Sequence, residues 1–368
     1  MEVHEGGLEF EVPEEGAVFY NPAMELNRDL TVAFLRVARG RFVPDDGPTY
    51  LDAMTAAGVR GARAAAAGYR TTVCDVNDAA LAAARRNLAR NGLEAEAHLG
   101  DVRAHLHGAS YDVVDLDPFG SPVPFVDAAI DGARGVLCVT ATDTAPLCGA
   151  HLAAGRRRYA AEPRPTAYHP EVGLRVLLGN LVRRAAARDV AARPVLSHAT
   201  RHYHRTYLDL DDGATEADRT LEAVGFVVHC PACLHREPVA GLAPALPATC
   251  PRCEATVERI GPLWLGRYVD AEVAEAAIEA LDGGMDQRTP ARRLLERLAG
   301  EIDRVTHLDH HELCDRWDVT AAPIEAVLEA LRGGGHAASR THFGGTTFKT
   351  DAPMGAVRAA VVELAESA

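Results

Sequence analysis

The sequence predicts an α/β protein: a doubly wound sheet, a four-cysteine insertion near residue 230 and a smaller α+β unit at the C-terminal end. Three observations carry this. Between residues 49 and 140, short apolar runs alternate with helix-like amphipathic stretches, the pattern of a mostly parallel sheet with helices on its faces. Two Cys-x-x-Cys pairs, Cys230/Cys233 and Cys250/Cys253, stand 16 residues apart. After residue 266 the alternation stops, and helical segments lead into a glycine-bounded hairpin.

A chain of 368 residues has room for two or three domains with ample core. The composition shifts divide it into an N-terminal arm and helix (1–48), the sheet domain (49–225), the cysteine insertion (226–265) and a C-terminal domain (266–368). No apolar run of about 18 residues is present, so a membrane span is not expected. The acidic N-terminus lacks the layout of a signal peptide, and the expected location is cytoplasmic. Net charge is −14, and Lys349 is the only lysine. An acidic surface with arginine in place of lysine suits the high-salt cytoplasm of a halophile. Locally the balance reverses: from His151 to Arg205, eleven arginines against Glu162, Glu171 and Asp189 leave +8. That island reads as an anion-binding face.

Taken in order, residues 1–20 alternate apolar positions (Leu8, Phe10, Val12) and read as a hairpin or edge strand. Phe19 and Tyr20 then precede a turn at Asn21-Pro22, and Arg28 lies near a helix start that Asn27 or Asp29 would cap. A first strand over 49–53 leads to Gly58-Val59-Arg60-Gly61 and an alanine-rich helix, the opening unit of a nucleotide-binding sheet. The second strand (71–74) ends at Asp75, placed to bond ribose hydroxyls. The third (95–99) leads to Gly100-Asp101-Val102, where an acid can hold an adenine amino group. The fourth, 111–116, runs into Asp115-Leu116-Asp117-Pro118-Phe119-Gly120-Ser121-Pro122.

Each of these four strands has an acid at or near its carboxyl end, where open α/β sheets bind ligands. No Gly-Lys-Ser/Thr or Gly-x-Gly-x-x-Gly phosphate clamp accompanies them. Adenosine recognition without a polyphosphate clamp points to S-adenosylmethionine. The Asp-Pro-aromatic stretch forms a socket for a planar group bearing an exocyclic amine. The Asp117 carboxylate and the Pro118 carbonyl can accept its two N–H bonds, while Phe119 offers a stacking face.

The chain resembles the archaeal and eukaryotic tRNA (guanine-26-N2)-dimethyltransferases along nearly its whole length. The resemblance rests on Phe19-Tyr20-Asn21-Pro22, Asn27-Arg28-Asp29, Gly58-Val59-Arg60-Gly61, the Asp115–Pro122 stretch, Thr140-Ala141-Thr142-Asp143 with Pro146-Leu147-Cys148-Gly149-Ala150, and Arg340-Thr341-His342-Phe343. It implies a Rossmann-like methyltransferase sheet. It also implies that S-adenosylmethionine is held by Arg28, Arg60, Asp75, Asp101 and the Val102 backbone, that Asp117 is the catalytic acid, and that Phe19 and Phe119 sandwich a guanine of tRNA. The rivals are N2-methylation of another tRNA guanine, methylation of an exocyclic amine in DNA, and a non-catalytic zinc-containing RNA-binding protein.

The remainder extends this reading. Strands from Val195 and through His202-Tyr203-His204-Arg205-Thr206-Tyr207 extend the sheet, their histidines facing RNA or solvent. Four cysteines spaced as a zinc ribbon close a tetrahedral site with no open position, so the expected zinc is structural. Beyond it, helices at about 271–281, 290–297, 310–317 and 322–331 and a hairpin over 336–348 suggest a winged-helix layout. Arg340, His342 and Lys349 would then lie on a tRNA-contacting wing. No obligate protein partner is evident.

Overall fold

A computed structural model describes residues 1–12, 18–200 and 202–366. An N-terminal hairpin, β1 (Glu2–Glu5) and β2 (Leu8–Glu11), precedes seven strands of one sheet. These are β3 (Thr49–Asp52), β4 (Arg70–Asp75), β5 (Ala95–Leu99), β6 (Tyr111–Leu116), β7 (Ala133–Ala141), β8 (Val190–Ala199) and β9 (His204–Asp212). Their order is β5-β4-β3-β6-β7-β9-β8, parallel except where β9 runs antiparallel between β7 and β8. Chain direction across the sheet reverses between β3 and β6. Their carboxyl ends therefore diverge into a crevice, the standard ligand position of such sheets. Tyr50, Leu51, Val113, Val114 and the run Val136–Val139 are fully buried, because parallel strands are covered on both faces.

The first helix begins earlier than its polar residues suggest. Pro22 fixes φ for a short 3-10 turn, Pro22–Met24, whose cap is Asn21: its side chain accepts the Ala23 N–H at 2.9 Å. The turn runs directly into helix Glu25–Ala38. Asn27 and Asp29, expected as caps, are instead buried inside the helix. Asn27 accepts from Arg60 at 3.1 Å, and Asp29 pairs with Arg63.

Three antiparallel strands, β10 (Val224–His229), β11 (Arg236–Ala240) and β12 (Glu258–Trp264), form a second sheet with β10 in the centre. Helices Ala271–Glu279 and Arg288–Ala299 pack on helix Glu25–Ala38, and their Val273, Ala277, Leu295 and Leu298 join the main core. In the C-terminal part of the chain the apolar core divides between Leu298 and Leu308. Past that point β13 (Leu308–Asp309), helices His310–Trp317 and Ile324–Gly333, β14 (Ala338–Arg340) and β15 (Thr347–Thr350) make a winged-helix arrangement in the order β13-β15-β14. A final helix, Met354–Glu366, which the sequence reading passed over, closes this core with Val357 and Val361.

Three surface expectations fail here for one reason: the charges are used to join elements. Lys349 is 2% exposed rather than on a wing tip. Its ammonium bonds the Tyr268 hydroxyl at 2.7 Å and pairs with Glu171 (3.1 Å) and Glu301 (3.3 Å). His342 binds Glu301 at 2.6 Å, and Arg340 pairs with Glu325 at 2.7 Å. Burial alone would raise the Glu171 carboxyl, but Lys349 and Arg175 outweigh it and hold it well below the carboxylate range. Likewise Tyr203, His204 and Tyr207 are buried, since helix His169–Ala186 packs over β8 and β9, while His202 is exposed as expected. The arginine island is largely neutralised. Arg156 and Arg164 meet Glu162, Arg158 meets Asp143, Arg184 and Arg188 meet Asp127, Arg193 meets Asp209, and Arg175 and Arg205 lie in the interior. Arg201 lies outside the described residues. Among the described residues of the island, Arg157 alone has neither an acid nor a carbonyl partner.

Candidate active site

A cleft of about 670 Å³ opens over the carboxyl ends of β3, β4 and β6. It gathers Phe19, Arg28, Arg60, Asp75, Asp117, Pro118 and Phe119 from four separate segments. Asp101 and Val102 are not among its lining residues. Asp101 caps helix Val102–Gly108, accepting the Arg103 N–H at 2.9 Å, and its carboxylate is pulled below the usual range by hydrogen bonds from Arg103. Gly58, at φ +82°, begins the helix below the cleft, and a Cβ there would lie 2.7 Å from the Ala84 backbone. Only glycine permits that close approach.

The two acids of the Asp115–Pro122 stretch lie in different environments. Asp115 is fully buried. It receives two bonds from Arg205 (2.8 and 2.7 Å) and one from the Tyr50 hydroxyl (2.8 Å), with Arg60 at 3.5 Å. Burial would raise its pKa, but Arg205 and then Arg60 hold it below the usual value. Asp117 stands two residues on, at the cleft surface, with its side chain 23% exposed and bonded to Arg60 at 2.5 Å. The same guanidinium bonds Asn27 and Thr31, each at 3.1 Å. Its pKa, which burial alone would lower, is raised by the Asp117 and Asp115 carboxylates. Asp117 is therefore held at one oxygen by a permanent cation, leaving the rest of the carboxylate to a ligand.

The loop after Asp117 is pinned from β7. The Gly120 N–H donates to the Thr142 hydroxyl at 2.7 Å, and the Thr142 N–H returns to the Gly120 carbonyl at 3.0 Å. Ser121 donates to the Tyr159 hydroxyl at 3.0 Å, which donates to Asp143 at 2.5 Å. The Asp-Pro-Phe-Gly-Ser and Thr-Asp blocks are thus one hydrogen-bonded assembly. Phe119 and Phe19 remain 74% and 47% exposed, and their rings meet edge to face with centroids 4.4 Å apart. No base fits between rings this close, so the expected sandwich requires one ring to swing away.

Arg28 lines the cleft and is oriented by Glu5, a fully buried acid of the N-terminal hairpin, at 2.6 and 2.5 Å. Asp75 accepts the Ala56 and Asn77 N–H groups at 3.0 and 2.9 Å, which orients its carboxylate and leaves lone pairs for a ligand. Away from the cleft, Cys230, Cys233, Cys250 and Cys253 bring their sulfurs within 4.8 Å of one another, with closest pairs at 3.5 and 3.6 Å. Tetrahedral Zn–S bonds of about 2.3 Å require sulfur separations near 3.8 Å, so the four thiols fit such a site.

The chain matches the family model for N2,N2-dimethylguanosine tRNA methyltransferase over residues 2–362. It belongs to this family. A tRNA (guanine(26)-N(2))-dimethyltransferase of Natronomonas pharaonis is 51% identical over 370 residues, covering 98% of this chain and all of the relative. One from Haloarcula marismortui is 50% identical over 369 residues, covering 99% and 100%. The structure of Trm1 from Pyrococcus horikoshii with S-adenosyl-L-methionine superposes with a TM-score of 0.88 at 31% identity, over 98% of this chain and 99% of that one.

For this member of the family, sequence reasoning missed Glu5, counted Asp52 only among the acids at strand ends, Thr142 only within a family block and His202 only as a strand residue facing RNA or solvent. The last three line the cleft. Asp52 is the acid that ends the first strand of the sheet. It is 1% exposed and accepts from Thr55 (2.7 Å) and the Gly61 N–H (2.9 Å). Burial pushes its carboxyl up to about 7, with Arg60 pulling the other way. An acid raised on folding keeps a proton that the unfolded chain has released from about pH 4. Its contribution to stability is therefore complete below that pH and falls as pH rises towards 7. In denaturant titrations at constant salt, the stability of wild type relative to Asp52→Asn should fall across this window, by at most ~4 kcal/mol. Parallel curves would mean that Asp52 is ionised throughout.

Proposed function

We propose that this protein is a tRNA (guanine-26-N2)-dimethyltransferase that transfers two methyl groups from S-adenosylmethionine to the exocyclic N2 of one guanine. The observation that carries the reading is Asp117, held by Arg60 beside Pro118 and Phe119 in a cleft over the strand ends, in a chain that matches the family end to end. Asp75 and Arg28 contact the cofactor in the cleft, with Arg60 acting also through Asp117. Asp101 and the Val102 backbone serve the adenine from just outside it. When bound, S-adenosylmethionine supplies an electrophilic sulfonium methyl.

Guanine N2 is a poor nucleophile because its lone pair is delocalised into the ring. The protein's largest lever is orientation. Asp117 and the Pro118 carbonyl accept the two N2–H bonds, which turns the nitrogen lone pair towards the methyl donor. The Asp117 charge then stabilises the positive charge that develops on nitrogen, and the N2 proton released at each transfer leaves through that carboxylate to solvent. A stacked base must first leave the helix, and stacking on Phe19 and Phe119 recovers about 1–3 kcal/mol per contact. For the second transfer one N–H remains to be held.

The four cysteines bind a structural zinc, residues 266–368 contribute to tRNA binding, and the protein acts in the cytoplasm. Among the described residues no helix is long and apolar enough to cross a membrane. Mass-spectrometric nucleoside analysis of tRNA incubated with protein and S-adenosylmethionine tests the activity. Dimethylguanosine at position 26 is expected, and methylation elsewhere or none would refute it. For the metal, one zinc per chain is expected. Cys253→Ser should lower the thermal midpoint by at least about 5 °C while leaving kcat per folded molecule within a factor of about two. A well-folded, inactive, zinc-free protein would contradict the structural role.

A further inference from the structure

A second cavity, of about 700 Å³, lies beside the first, where the catalytic sheet meets the C-terminal unit. The two are separated by very short segments. Thr142 lines the first cavity and Thr144 the second; His202 lines the first and Thr200 the second. Residues two apart along a chain are at most about 7 Å apart, so the two cavities are close neighbours.

Its lining suits a nucleobase. Phe343, from the Arg340-Thr341-His342-Phe343 block to which the catalytic reading assigns no role, lines it and is half-buried. The ring is held by His307, stacked at 4.6 Å with planes 17° apart, and by His342, whose ring lies 3.9 Å away at 38° and also lines the cavity. A held aromatic that lines a cavity is a candidate surface for a base. His204, also in the lining, uses Nε2 on the Pro170 carbonyl at 3.2 Å, and its buried Nδ1 has no partner among the described residues. Nε2 bonds a carbonyl and so carries the proton, which leaves Nδ1 as an acceptor for a base N–H. Ala150 lies exposed at the rim, just before helix Leu152–Tyr159, which carries the unpaired Arg157.

We propose that this cavity takes a second nucleotide of the same RNA, a neighbour of the target guanine, with its base stacked on Phe343. The inference rests on the methyltransferase reading for its polymer. It makes the C-terminal unit part of the substrate site rather than a remote anchor.

Transcripts of tRNA carrying 2-aminopurine singly at each nucleotide flanking the methylated guanine would test it, with wild type, Phe343→Leu, Phe343→Trp and Ala150→Trp. One flanking position should show a fluorescence change on binding wild type, lost in Phe343→Leu and restored in Phe343→Trp. KM for unlabelled tRNA should rise about ten-fold in Phe343→Leu, which removes the ring, and in Ala150→Trp, which fills the rim from an exposed position. kcat and S-adenosylmethionine affinity should stay within a factor of about two in both. No responsive flanking position in wild type, or an unchanged KM in both variants, would overturn the proposal. If wild type binds the labelled RNA and shows the flanking signal but does not methylate guanine N2, the functional reading fails and the pocket stands.

Discussion

Asp117→Ala should lower kcat for methyl transfer to a tRNA transcript by at least about 10²–10³-fold, the cost of removing one group aimed at developing charge. S-adenosylmethionine affinity should change by less than a factor of about two. The asymmetry follows from the position of the side chain. Asp117 stands on the cleft surface at the end of β6, while Asp75 and Arg28 hold their own places through other partners. The variant should also fold. Arg60 loses one partner, yet Asn27, Thr31 and the nearby Asp115 still satisfy it, so no buried cation is orphaned. Single-turnover methylation combined with cofactor titration separates the two effects. Retention of more than about a tenth of the wild-type rate would remove Asp117 from the chemistry.

Asp115→Ala should behave in the opposite way, destabilising the protein by about 3–5 kcal/mol before any question of catalysis arises. Arg205 is fully buried and directs two hydrogen bonds at this carboxylate, and among the described residues its other side-chain partners are uncharged, the hydroxyls of Thr140 and Thr31 and the Tyr207 ring. Removing the carboxylate leaves a desolvated guanidinium with no opposing charge in contact. Urea or guanidinium unfolding at matched ionic strength would measure the loss. A change below about 1 kcal/mol would mean that water or a neighbouring acid replaces the carboxylate. The pair of variants thus separates two acids, two residues apart, by readout: one is lost as rate, the other as stability.

High salt sharpens the importance of shape. Phosphate contacts weaken steeply with ionic strength, and most of the arginine island is engaged by neighbouring acids or carbonyls. Stacking surfaces such as Phe19, Phe119 and Phe343 depend little on screening. The proposed stacking therefore does not depend on opposite charge in a protein whose net charge is −14.

Much of the fold was legible in the sequence because its signals are local. Strand and helix periods, the glycine turn at Gly58 and the cysteine spacing each depend on residues within a turn or two of one another. The parallel sheet, the cysteine cluster and the acids Asp75 and Asp117 at strand ends were readable on that basis. So was the Asp-Pro-Phe-Gly stretch, since its chemistry is contained in adjacent residues.

The tertiary structure decided which charges are free and which are bound. Asp115 and Asp117 look alike in the chain, and only the approach of Arg205 from β9 and Arg60 from helix Val59–Ala66 makes one an anchor and the other an acid at the cleft surface. Arg340, His342 and Lys349 look like a basic wing, yet Glu171, Glu301 and Glu325 lie against them. A charge interacts with whatever packs within a few ångströms of it, at any sequence separation. Its role therefore cannot be read from its neighbours in the chain.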